Sequence, residues 1–223
     1  MKKVTLSVLA CLGVALGSAS AASVTVRDNP ITGPSVYLDD ALRATVTINT
    51  GTERTVGAGV FSLQMGSIDD GFRDFLTFCL QVNESLTLPL EHEITAGDSY
   101  FGLADREALG IAFGNMMTTQ YALADGISSA AMQIIIWEIA EDGAANFDLT
   151  AGAFILLTDA VRDRANEFWV LIQSGTLPVH NFNVLVAAGT QDLLTLETPL
   201  PGAALLMGTG IAAFARRRKK TRA

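Results

Sequence analysis

The stretch Phe75-Leu76-Thr77-Phe78-Cys79-Leu80-Gln81-Val82 constrains the fold more than any other in this chain. Read as a strand, it puts Leu76, Phe78, Leu80 and Val82 on one face and Phe75, Thr77, Cys79 and Gln81 on the other. Both faces carry apolar groups, so neither can be left to water. Such a strand belongs in the interior, with packing on each side. Before it, Ala44-Thr45-Val46-Thr47-Ile48-Asn49 and Phe61-Ser62-Leu63-Gln64-Met65 alternate with period two. Gly51, Gly57 and Gly59 punctuate them, and Asp69-Asp70-Gly71 marks a turn.

The middle of the chain changes period. Leu109, Phe113, Met116 and Met117 recur at helical spacing behind Asp105, which is placed to cap that helix. Ala124-Asp125-Gly126 interrupts. A second helix is predicted over Ser128 to Ala140, apolar on successive faces at Ile134-Ile135-Ile136 and therefore buried. A third runs from Thr158 to Gln173 with Asp163, Arg164 and Glu167 on a wet face. Phe147 to Phe154 reads as a loop or short strand. After Pro178 alternation returns at Phe182 and Val184, then at Leu193 to Leu196. Strands, then helices, then strands predict an α+β fold: a β-sandwich or barrel with an inserted, packed helical block in one domain.

The two ends have the grammar of targeting signals. Lys2 and Lys3, the small and apolar run Val4 to Gly17 and the small-x-small site Ala19-Ser20-Ala21 make residues 1–21 a secretory signal peptide. A lipobox reading of Val8-Leu9-Ala10-Cys11 is poorer, because the apolar run continues past Cys11. At the other end, Thr198-Pro199-Leu200-Pro201-Gly202 precedes the apolar run Ala203 to Ala215 and the basic cluster Arg216, Arg217, Arg218, Lys219, Lys220 and Arg222. That run is short against the roughly 17–25 residues of a bilayer span. The arginines can snorkel, and by the positive-inside rule they would stay cytoplasmic. The expected organisation is a signal peptide (1–21), a globular domain (22–197) and a C-terminal sorting signal with a short transmembrane segment and basic tail (198–223).

The order of proline motif, brief span and arginine cluster resembles the PEP-CTERM class of sorting signals, in its V-P-L-P-A variant. Thr198 stands for the family's Val and Gly202 for its Ala. The resemblance implies a Gram-negative bacterium and an exosortase-like membrane transpeptidase as partner. It implies an exported protein, transiently anchored in the inner membrane through the C-terminal helix, then placed at the cell surface or in the extracellular matrix. An ordinary tail anchor is the alternative. The formal net charge is −8. Because both ends are basic and hold no acid, the stretch between them carries 7 basic against 23 acidic residues. That excludes nucleic acid and anionic lipid as partners for the domain.

With Cys11 in the leader, Cys79 has no cysteine to pair with in an oxidising compartment. Cys79 is then either a small buried hydrophobe or a reactive thiol. Phe78-Cys79-Leu80, followed by Ala131-Met132-Gln133-Ile134-Ile135-Ile136-Trp137-Glu138-Ile139, resembles the thioester domains of bacterial surface proteins. Their pattern is an aromatic-Cys motif and a later Gln-x-Ala-Ile-Trp motif. Met132 and Ile135 depart from that pattern, and both keep the site apolar. Gln191-Asp192-Leu193-Leu194 looks like a recurrent ending of exported members.

The resemblance implies an internal Cys79–Gln133 thioester for covalent attachment to a surface or matrix target bearing an amine or hydroxyl. Phe78 and Trp137 would shield it from water. The alternative is a non-covalent structural matrix or envelope protein with a buried, inert Cys79. Either way the chain is not a turnover enzyme and needs no cofactor. A hydrolase using Cys79 would lack an evident base, since His92 and His180 have no motif around them. Glu91-His92-Glu93 reads as a solvated edge, with the two glutamates on one face and His92 on the other. Asp69-Asp70 and Asp142, Asn146 and Asp148 read as turns, since they lack the spacing of a calcium loop. No phosphate loop, Ser-His-Asp set or zinc-ligand spacing occurs.

Overall fold

Pairing, rather than the alternation of single strands, decides which segments become interior. The computed structural model describes residues 22–30, 42–48, 51–118 and 125–196. Its strands are β1 (Ser23–Asp28), β2 (Leu42–Ile48), β3 (Thr52–Ala58), β4 (Phe61–Ser67), β5 (Gly71–Thr77), β6 (Leu90–Ala96), β7 (Phe154–Leu156), β8 (Phe182–Val186) and β9 (Leu193–Leu196). Its helices are α1 (Gly97–Tyr100), α2 (Leu103–Thr118), α3 (Gly126–Asp142) and α4 (Asp159–Gln173). One antiparallel sheet runs β5-β4-β1-β6-β8-β9, and a second runs β3-β2-β7.

The six-stranded sheet nearly closes on itself. Just past β5, Cys79 bridges Leu193, Leu80 N–H donates to Asp192 O (2.9 Å), and Leu194 N–H donates to Phe78 O (3.0 Å). The fold is therefore α+β, with a near-closed barrel and inserted helices. Val26, Phe61, Leu63, Met65, Cys79, Leu185 and Leu193 fill the barrel. A second core joins α2, α3 and α4 to the three-stranded sheet, with Phe78, Leu80, Phe113 and Ile134 among its members. Each fully buried Phe or Ile contributes about 1.5–3 kcal/mol of transfer free energy.

The expected strand at 75–82 is thus two pieces. It pairs with β4 up to Thr77, which lies opposite Phe61, and then crosses to β9. Its two faces survive the handover, since Phe78 enters the helical core and Cys79 the barrel core. Glu91-His92-Glu93 is corrected more sharply. It lies on β6, between β1 and β8, and His92 is fully buried while both glutamates face water. Asp105 does not cap its own helix. It sits in the first turn of α2, and its carboxylate accepts the Ala144 N–H (2.8 Å).

α3 starts where Asp125 accepts the Ser128 N–H (2.7 Å) and ends at Gly143, whose φ of 81° suits glycine. The N–H bond from Ser128 holds the Asp125 carboxyl below its usual range. Asp125→Ala should cost about 1 kcal/mol, as cap removals do, measured by urea unfolding; an unchanged midpoint would remove the cap from this account. α4 buries Val161, Ala165, Phe168, Trp169 and Ile172 along one stripe and exposes Asp163 and Glu167.

No helix among the described residues is long and apolar enough to cross a membrane. This corrects the expected architecture to an α+β fold with a near-closed barrel, inserted helices and no membrane-spanning helix among the described residues. The membrane-anchored localisation, the exosortase-like partner and the PEP-CTERM reading have no spanning helix among the described residues to support them and are set aside. Pro199, Leu200, Pro201, Arg216, Arg217 and Arg218 lie outside the described residues, as does the leader at 1–21.

Candidate functional site

An antiparallel strand turns the main-chain groups of successive residues to opposite edges. After the handover, Phe78 O and Leu80 N–H face β9. The N–H and C=O of Cys79 therefore face the other edge, which β4 no longer covers. Gln133, from the middle of α3, takes the place of a strand there. Its Oε1 accepts the Cys79 N–H (3.1 Å), and its Nε2 donates to Cys79 O (2.7 Å). Both residues are fully buried. The structure thus brings Cys79 and Gln133 together, through the cysteine's main chain rather than its sulfur.

The sulfur points elsewhere. Cys79 Sγ hydrogen-bonds to Gln191 Oε1. Gln191 Nε2 in turn donates to Gln81 O (2.8 Å) and Glu84 O (2.5 Å). Next to it, Asp192 Oδ2 accepts from Gln81 Nε2 and from the Tyr100 hydroxyl, each at 2.6 Å, and Asp192 N–H donates to Gln81 Oε1 (2.6 Å). Burial and the Asp192 carboxylate raise the Tyr100 phenol well above its ordinary range. Burial also pushes the Cys79 thiol well up, so at neutral pH it is the weakly nucleophilic S–H form.

The other expected residues, Phe78 and Trp137, both belong to the helical core. Phe78 meets Phe113 edge to face (centroids 6.1 Å apart) on the face opposite the sulfur. Trp137 is 3% exposed, packs against Phe154 and leaves its indole N–H without an acceptor. His92 holds Leu90 O through Nδ1 (3.1 Å), while its Nε2 has no partner. Burial keeps its pKa below the ordinary value, against the opposing pull of the Leu90 carbonyl and the Asp192 charge.

Sequence reasoning missed the role of Gln191, although its motif stood out. It also missed Glu138, which is fully buried beside Gln133's turn of α3. One Glu138 oxygen accepts the Asp148 N–H (2.8 Å), and the other has no partner. Burial first, then the charges of Asp142 and Asp148, push its carboxyl up to about 7. Among the described residues no group of three or more His, Cys, Asp or Glu side chains is placed to hold a metal.

No protein-family model matches the chain, and no curated protein does. Among solved structures, the N-terminal thioester domain of a surface protein from Clostridium perfringens, in a cysteine-to-alanine mutant form, is similar to it. The identity is 12% and the TM-score 0.39, covering 62% of this chain and 90% of that one. A likeness that distant leaves the site to be read from its own geometry.

Proposed function

We propose that this chain is a non-covalent structural protein of an extracellular matrix or cell envelope, in which Cys79 is a buried, inert core residue. One observation carries the reading: both heteroatoms of the Gln133 amide are spent on the Cys79 main chain. In that role Gln133 closes a gap in the barrel seam, as buried glutamines commonly do for stranded backbone. The thiol supports it too, since it is desolvated, protonated and occupied by Gln191.

A second reading keeps the covalent bond, and the adjacency of Gln133 to Cys79 favours it. Sγ would attack Gln133 Cδ, the C–N bond would break, and ammonia would leave with the thiol proton. That requires Sγ to leave Gln191 and Gln133 to release the main chain. Intact-mass measurement decides between the readings. The structural role predicts the full calculated mass and a titratable Cys79 thiol after denaturation. A wild-type mass short by one ammonia, restored to the calculated value in Cys79→Ala, would overturn it.

A further inference from the structure

We infer that the cleft between α1, α2 and the start of β8 binds a free α-amino acid, with its carboxylate on Arg106 and its ammonium at Asp98. The inference goes beyond the structural role and does not depend on the state of Cys79. The cleft encloses about 180 Å³, and Asp98, Arg106, Val179, His180, Asn181 and Phe182 are among its lining residues. Drug-sized ligands occupy roughly 300–1,000 Å³, so the occupant here is small. The walls are held at close quarters. In α2, Gly110 and Gly114 stand one turn apart, although glycine weakens a helix interior. A Cβ on Gly110 would come within 2.5 Å of His180 O, and one on Gly114 within 2.4 Å of the His180 side chain. The two glycines thus let the segment before β8 lie directly on the helix. His180 N–H donates to Gly110 O (3.3 Å) and Asn115 Nδ2 donates to Pro178 O (2.8 Å), which fasten it there. On the far side, a Cβ on Gly97 of α1 would strike the Phe182 ring at 2.7 Å.

Opposite charges line this cleft without pairing. The ion pairs among the described residues are Arg162 with Asp159 and Arg164 with Glu167, and neither involves Arg106 or Asp98. The Arg106 guanidinium makes no hydrogen bond among the described residues either, although the residue is half-buried. A cation drawn partly out of water without a counter-charge is costly, and a carboxylate can meet a guanidinium with two parallel hydrogen bonds. Asp98 is exposed on the rim, where an ammonium can reach it. A simple anion would satisfy Arg106 and be repelled by Asp98, and a simple amine would do the reverse. A zwitterion satisfies both. The Asn181 amide adds a donor for the carboxylate's remaining lone pairs. Val179 and Phe182 give a small aliphatic side chain an apolar wall.

The test uses the full chain, labelled with ¹⁵N, and L-alanine as probe. Titration should shift the Arg106 Nε–H, the Asn181 side-chain amide and the main-chain N–H of Asp98. The Trp169 indole, stacked on Phe147, should stay still. L-alaninamide lacks the carboxylate and N-acetyl-L-alanine lacks the ammonium, so each should bind at least about tenfold more weakly than L-alanine. Two variants assign the ends. Arg106→Gln should weaken L-alanine about tenfold, and Asp98→Asn should weaken L-alanine while leaving N-acetyl-L-alanine unchanged or tighter. An unmoved Trp169 indole in each variant shows that the fold persists. Arg106 and Asn181 signals unmoved by L-alanine through the millimolar range would overturn the proposal. So would N-acetyl-L-alanine binding as well as L-alanine, which would make the cleft a plain anion site, or L-alaninamide doing so, which would make it an amine site.

Discussion

Gln133→Leu should destabilise the domain by about 2–6 kcal/mol, because it strands two buried main-chain groups at about 1–3 kcal/mol each. The Cys79 N–H and C=O have Gln133 as partner, and both residues are fully buried, so water does not replace the amide. Leucine keeps the bulk of the side chain, which limits any cavity contribution. Cys79→Ala is the companion measurement. It leaves both Gln133 bonds in place, since they go to main chain, and removes a small buried group together with its weak S–H bond to Gln191 Oε1, at about 1–2 kcal/mol. Urea unfolding of the two variants therefore gives very unequal losses if Gln133 is a brace. A covalent cross-link would instead make them similar, because either change abolishes the same bond. Gln133→Leu within about 0.5 kcal/mol of wild type, the scatter of surface substitutions, would remove the brace from this account.

Local pattern made much of this site legible, and long-range pairing hid the rest. The period-two alternation of 75–82 placed Phe78 and Cys79 on opposite faces, and they do enter different cores. It could not reveal that the strand changes partners at Thr77, because the new partner β9 meets it through Cys79 and Leu193, residues over 100 positions apart. The same blindness explains Glu91-His92-Glu93. Its alternation was plain, but whether a strand is an edge or an interior one depends on its neighbours, and β1 and β8 come from opposite ends of the described chain. The helix positions followed from apolar spacing and turn signals, and Asp125 and Gly143 bound α3 as such residues do. Asp105 looked like a cap on composition alone; its carboxylate serves Ala144 instead. Gln191 was visible as part of a motif, yet nothing local says that its amide meets the Cys79 sulfur. β3, rich in polar residues, carries no alternation worth reading.

Glu138→Gln should stabilise the protein at pH 8 by on the order of 2 kcal/mol and leave it nearly unchanged at pH 4. Glu138 is fully buried, and its carboxyl is pushed up from 4.5 to about 7, chiefly by burial and then by Asp142 and Asp148. The folded state therefore holds this proton more tightly than the unfolded chain does. Its contribution to stability is fully present below about 4.5, declines as pH rises through about 7, and is flat above that. The unpartnered oxygen shows where the cost lies: once ionised, it keeps its charge without a donor. Glutamine retains an oxygen for the Asp148 N–H and never ionises, so the decline between these values should vanish. Thermal unfolding of wild type and variant across pH 4 to 8 reads the effect directly. Parallel curves with no convergence at low pH would mean that Glu138 does not titrate in the fold, and that its gain or loss in the variant comes from packing alone.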